Sequence, residues 1–122
     1  MNKMKKSYFL LTTLFLLYIG CDDENSCDVE LWGECYSIAD TDSLNLSVEQ
    51  LTGQIPPQIG KLTNLTYLNL ATNQLTGKIP DSLCDIYPNL SFFFSVNNNQ
   101  LCPPYPNCLS GNIGQQDTSG CK

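Results

Sequence analysis

A block of thirteen residues occurs twice, 24 residues apart, and this spacing constrains the fold more than any other feature of the chain. Residues 44–56 read LNLSVEQLTGQIP and residues 68–80 read LNLATNQLTGKIP, identical at nine positions. A third, partial copy, FSVNNNQL, begins at Phe94, 26 residues after Leu68. A unit this short cannot enclose a core alone, and becomes stable only when neighbouring units stack and share one. A solenoid is therefore expected. Three coils are close to the minimum, so both ends must be covered.

Within each copy, apolar and polar residues alternate over a few positions, which is the signature of a short strand with one buried face. Leu44 and Leu46, Leu68 and Leu70, and Phe94 and Val96 should point inward and stack. In the run Phe92-Phe93-Phe94 the alternation places Phe92 and Phe94 inside and Phe93 outside. Ile55, Ile59 and Leu62, with Ile79, Leu83 and Ile86, should close the core from the opposite side. Asn73 and Asn99 fall where the chain turns inward. There a buried amide can both donate to and accept from otherwise unpaired backbone groups. Glu49 holds that place in the first coil, where the asparagine ladder should be weakened. Gly53 and Gly77 permit a tight bend, and Pro56 and Pro80 stiffen the far side. The two extra residues before the third copy are expected near Ile86-Tyr87-Pro88-Asn89-Leu90, as a loosened turn.

The phrase LTGxIP, present twice, resembles the plant-type leucine-rich repeat of plant receptor ectodomains and polygalacturonase-inhibiting proteins. Bacterial secreted proteins and lipoproteins carry the same type. The resemblance covers about residues 27–109 and implies a short α/β solenoid. That fold is a right-handed coil with parallel strands on the concave side, a 3-10 or irregular convex side and disulfide-stapled caps. On this reading residues 27–43 are the N-terminal cap, 44–100 the repeats, and 101–122 the C-terminal cap and tail. The stretch Cys27-Asp28-Val29-Glu30-Leu31-Trp32-Gly33-Glu34-Cys35 resembles the N-terminal cap of plant-type repeats. That resemblance implies a Cys27–Cys35 disulfide and a Trp32 ring covering the open core, the alternative being a ring exposed for ligand stacking. Tyr36-Ser37-Ile38 is expected as a short cap strand.

At the other end, residues 101–109 align with residues 75–83, so they form a partial fourth coil. Cys108 then stacks on Ser82, two residues from Cys84 and within disulfide reach. This favours Cys84–Cys108 with Cys102–Cys121, while Cys84–Cys102 with Cys108–Cys121 stays open. A zinc site built from these four thiolates is the metal alternative, disfavoured by an oxidising compartment and the lack of a CxxC pair. Residues 110–122 should run as a loop pinned by Cys121.

The first twenty residues read as an address. Lys3, Lys5 and Lys6 precede an uncharged, largely apolar run of twelve at residues 8–19. A run of that length suits a signal-peptide core and not a membrane span. The ending Leu17-Tyr18-Ile19-Gly20-Cys21 resembles a bacterial lipobox, which implies lipidation of Cys21 and anchoring in the cell envelope, at the outer membrane or cell surface. Ordinary cleavage nearby is the alternative. Residues 21–26 are acidic and without an apolar anchor, hence a solvated tether. Calcium binding by Asp22, Asp23 and Glu24 lacks the spacing of a defined loop. One lipidated cysteine plus three disulfides accounts for all seven Cys.

The chain has no His and no Arg, and beyond residue 20 three Lys face twelve acids, a net charge of −9. Histidine-dependent catalysis and His-ligated metals are excluded, as is a basic nucleic-acid face. The Asp and Glu residues lie mostly in the tether and turns, so no catalytic residue, cofactor or metal is expected.

Function is expected on the concave face, made of Ser43, Asn45, Ser47 and Val48, then Tyr67, Asn69, Ala71 and Thr72, then Phe93, Ser95, Asn97 and Asn98. Tyr67 and Phe93 should lie side by side, able to grip a protein loop or a sugar ring. The sequence supports a binding module for a protein or carbohydrate partner. A structural envelope lipoprotein without a specific ligand and a secreted inhibitor of a foreign enzyme are the other readings. Three Asn-x-Ser/Thr sequons, at Asn45, Asn64 and Asn89, would suit a glycosylated secreted protein, but also follow from the repeat's own composition.

Overall fold

A computed structural model describes residues 27–122. The N-terminal cap is an antiparallel hairpin of β1 (Val29–Leu31) and β2 (Glu34–Tyr36). Its two-residue loop, Trp32-Gly33, has both residues at positive φ (48° and 81°). A hairpin loop of that kind matches the twist of its strands, and glycine meets the requirement without steric cost. Val29, Leu31 and Tyr36 turn inward and cover the first coil. The expected strand at Tyr36-Ser37-Ile38 is thus displaced: β2 ends at Tyr36, and residues 38–40 turn instead.

The coils follow. Strands β3 (Ser43–Asn45), β5 (Tyr67–Asn69) and β7 (Phe93–Ser95) form a parallel sheet in the order β3-β5-β7. Its register keeps the repeat offsets, with Leu44 beside Leu68 and Leu68 beside Phe94. A second parallel set, which the alternation pattern did not reveal, contains β4 (Thr52–Gly53), β6 (Gln74–Gly77) and β8 (Gln100–Leu101). Here pairing slips by two residues against the repeat, since Gly53 faces Leu75 and Gly77 faces Leu101. The asparagines explain the slip. The Leu51 and Leu75 amides donate to Asn73 and Asn99 side chains, both at 3.0 Å, so the backbone ladder starts later.

The convex side carries a 3-10 turn at Pro57–Lys61, a single helical turn α1 (Leu83–Ile86) running into a 3-10 turn at Tyr87–Asn89, and a last 3-10 turn at Asn107–Leu109. Pro57 starts the first with a preset φ and no N–H to leave unpaired. The two additional residues of the longer coil are absorbed at α1 and the turn after it. Adjacent convex turns touch closely: a Cβ on Gly60 would lie 2.6 Å from the Ser82 carbonyl oxygen, while the Ser82 hydroxyl donates to the Pro57 carbonyl at 2.7 Å.

Leu44, Leu46, Leu68, Leu70 and Val96 meet Ile55, Ile59, Leu62, Ile79, Leu83 and Ile86 in one continuous core. Asn99 is almost fully buried, accepting from the Leu75 amide and donating to the Leu70 and Val96 carbonyls. Asn73, half-buried, accepts from the Glu49 and Leu51 amides and donates to the Leu46 and Leu70 carbonyls. The ladder has a third rung that the period did not announce. Gln116 takes the Leu101 amide at 3.1 Å and donates to Val96 and Ile113. The tail is therefore more than a loop, since residue 116 also bridges Asn99 in parallel, and Ile113 seals the end of the core. Disulfides join Cys27 to Cys35, Cys84 to Cys108 and Cys102 to Cys121, with Cα separations of 5.3, 5.8 and 5.6 Å.

Candidate protein-binding face

Parallel, in-register strands carry each outward residue directly beside its counterpart in the next coil. Ser43, Tyr67 and Phe93 make one row; Asn45, Asn69 and Ser95 make the next. The Tyr67 and Phe93 rings stack, with centroids 5.0 Å apart and planes inclined by 21°. Tyr67 is half-buried by its neighbours and Phe93 is exposed.

The polar row is held by short-range bonds. The Asn45 Oδ1 accepts from the Ser47 amide and hydroxyl, the Asn69 Oδ1 from the Ala71 amide, and the Asn97 Oδ1 from the Ser95 hydroxyl. Each bond spans two residues, the Asx-type geometry that Asn and Ser favour locally. The rotamers are therefore fixed before any partner arrives, which lowers the ordering cost of binding. Beyond this row the chain turns sharply, and Val48, Thr72 and Asn98 adopt left-handed φ values of 57°, 57° and 55°. No charged residue belongs to these rows.

One expectation is corrected. Phe92 does not point inward: it is 81% exposed. Phe94 alone enters the core, edge-on to Tyr87 with centroids 5.2 Å apart. The physical reason lies one step before the strand. The Phe92 amide donates to the Thr66 carbonyl, as the Thr66 amide donates to that of Asp42, so these three residues share one lateral row. Aligning the copies one residue further back would have found polar residues at the equivalents of Phe92 and marked the site as outward.

Trp32 packs against the core end, half-buried. Of the sequon residues, Asn64 donates its amide to the Ile38 and Ala39 carbonyls and Asn89 to that of Thr63, tying each coil to the one before. Two ionisable groups are shifted. Burial, then the Glu34 and Glu49 carboxylates, push the Tyr36 hydroxyl above its ordinary value. The hydroxyl and amide of Ser119 hold the exposed Asp117 carboxyl below its own. Neither lies on the concave rows. Cys21, the 1–20 segment, the 21–26 tether and its acids Asp22, Asp23 and Glu24 fall outside the described residues. Among the described residues no helix is long and apolar enough to cross a membrane.

A model of the Leucine Rich Repeat family matches residues 64–86. Among solved structures, a chain of the BIR3–SERK2 complex from Arabidopsis thaliana is 32% identical with a TM-score of 0.54, covering 60% of this chain and 39% of that one. A plant ice-binding protein is 30% identical with a TM-score of 0.49, over 63% of this chain and 24% of that one. The chain thus spans about two fifths and one quarter of the lengths of these two proteins. No curated protein matches it. Repeat, register and the match to the receptor-complex chain agree: this chain carries a leucine-rich repeat and folds as a short leucine-rich-repeat solenoid, similar to the plant type and closed by disulfide-held caps.

Proposed function

We propose that this is a non-catalytic module that binds a protein partner through its concave strand face, with Tyr67 and Phe93 as the central anchors. The observation that carries the reading is the stacked ring pair beside a row of polar side chains locked in place. Aromatic anchors on a rigid frame supply contact area at low entropic cost, and such residues dominate interface energies. Asn45, Ser47, Asn69, Thr72, Ser95 and Asn97 supply the hydrogen-bonding surround. That a structural neighbour is part of a complex supports a protein, in preference to a glycan, as the partner.

The working compartment is proposed to be oxidising, in keeping with three disulfides in a small domain. Residues 1–20 are read as an export signal and Cys21 as a lipid-bearing N-terminus at a bacterial envelope; this rests on the basic start, the apolar run and Gly20-Cys21. Intact mass of the membrane fraction tests it, and an unmodified N-terminus would end it.

For the face itself, the test is a partner screen with the purified protein followed by Tyr67→Ala and Phe93→Ala. Each substitution should weaken binding by about tenfold or more. Unchanged affinity in both variants would refute the assignment. A screen that yields no protein partner would favour the purely structural reading.

A further inference from the structure

The concave sheet ends at β7, which has β5 as its one neighbour among the described residues. The tail stands in for a next coil only further along the chain. The Val48 amide donates to the Ala71 carbonyl, the Thr72 amide to that of Asn97, and the Asn98 amide to that of Gln115 in the tail. Gln116 then bridges Asn99, and its side chain takes the Val96 carbonyl. Among the described residues no strand lies beside β7 itself on that side, and its inward residue registers the difference. Leu44 and Leu68 are fully buried, whereas Phe94, in the same row, is half-buried.

The direction of the free backbone groups follows from the ladder. In a parallel strand the N–H and C=O of one residue point to the same side, and residues two apart share that side. The Leu46 amide donates to the Asn69 carbonyl and the Leu70 amide to that of Ser95, each toward the following coil. Leu68 lies two residues before Leu70 and shares its direction, and Phe94 is in register with Leu68. The N–H and C=O of Phe94 therefore aim away from β5, at the open edge. Edge strands are ordinarily guarded by charge, proline or a bulge. Residues 90–101 hold neither a charged residue nor a proline, and Phe92 and Phe93 are exposed.

We propose that two copies of this chain pair through the open edge of β7, antiparallel about a two-fold axis at Phe94. The two Phe94 residues exchange both N–H···O bonds, and each ring covers the other's half-open core end. Phe93 stands opposite Ser95 of the second copy. The two Phe93 rings are then diagonal neighbours, about 7–8 Å apart at the backbone and within reach of each other. The two sheets join in the order β3-β5-β7-β7-β5-β3. Charge distribution selects a second copy as the occupant. Residues 86–116 carry no charged side chain, and eleven of the twelve acids precede them. Copies that meet at this end place neutral surface on neutral surface and hold their acidic ends apart, where like charges would otherwise repel. A two-fold axis needs one self-complementary patch, which a neutral edge strand provides. One short strand per copy gives an interface at the low end of specific ones, under about 1,200 Å², so a weak dimer with a Kd of about 0.1–1 mM is expected. This pairing goes beyond the protein-binding reading above and does not depend on it.

Sedimentation of the purified protein from about 10 μM to 2 mM should show the average mass rising from one chain toward two. Phe92→Glu and Phe93→Glu each put like charges beside the axis and should weaken the dimer at least about tenfold. Val48→Glu, at an exposed apolar residue of the first coil, should leave it unchanged. Amide hydrogen exchange of Phe94 should slow as the concentration rises, which ties the association to this edge. A single-chain mass at 2 mM would overturn the proposal. So would a dimer that both folded Phe variants retain, a dimer that Val48→Glu dissolves, or Phe94 exchange that ignores concentration. If circular dichroism shows the Phe variants unfolded, the Phe94 exchange decides.

Discussion

Replacing Asn99 with leucine tests whether burial or bond number sets the value of a ladder asparagine. Asn99 is 3% exposed and takes the amide of Leu75, itself fully buried, at 3.0 Å. It also donates to the Leu70 carbonyl at 3.0 Å and the Val96 carbonyl at 2.9 Å. Both carbonyls keep a second donor, Asn73 for Leu70 and Gln116 for Val96. The substitution therefore orphans one buried N–H, costing about 1–3 kcal/mol, and removes two further hydrogen bonds at about 0.5–1 kcal/mol each. The sum is roughly 2–5 kcal/mol, a large share of the stability of a small domain. Asn73 makes more bonds, since two amides and two carbonyls at 2.8–3.0 Å depend on it. It is only half-buried and Glu49 is exposed, so water replaces part of what is lost. Asn73→Leu is expected to cost about 2 kcal/mol. Urea unfolding under non-reducing conditions, followed by circular dichroism, measures both. Asn99→Asp adds a sign test. A carboxylate there keeps the Leu75 amide as a donor to one oxygen but turns its other oxygen on two carbonyls in a buried place, so folding favours its protonated form and raises its pKa. The folded state then binds more protons than the unfolded one, and stability falls as pH rises from about 4 toward neutrality. The reasoning is refuted if Asn73→Leu costs more than Asn99→Leu, or if Asn99→Asp is no less stable at pH 7 than at pH 4.

Val48→Asn should stabilise the protein by about 0.5–1 kcal/mol in the same assay, because a β-branched residue at φ 57° is strained where Asn is tolerated. Gly60→Ala should cost about 1–3 kcal/mol, since the new methyl meets backbone of the next coil at 2.6 Å and the convex turns must part; a thermal melt unchanged from the parent would contradict this. Tyr36 has its folded pKa raised, so the stability it contributes is present below the unfolded value near 10 and lost as pH rises through the folded value. Unfolding free energies compared at neutral and strongly alkaline pH should show a smaller alkaline loss in Tyr36→Phe than in the parent.

The periodicity carried the fold. Because Leu68 and Leu70 must each lie on an equivalent residue one coil away, a 24-residue offset leaves few folds other than a stack of coils. For the same reason the adjacency of Tyr67 and Phe93 is legible before any coordinates, since parallel strands in register carry equivalent residues side by side. Features that depend on contacts between non-equivalent positions were not legible. Gln116 lies 17 residues after Asn99, outside the period, and becomes a rung only because the tail folds back over the last coil. Phe92 obeys alternation on paper, yet its backbone is claimed by Thr66 before the strand begins, and its ring is left in solvent. The second strand set is slipped by two residues because asparagine side chains occupy amides that the backbone would otherwise pair. Sequence alone determined the repeating geometry, because it is local and identical in every coil. The tertiary structure decided the ends and the slip, because these arise where one element meets another that no period relates to it.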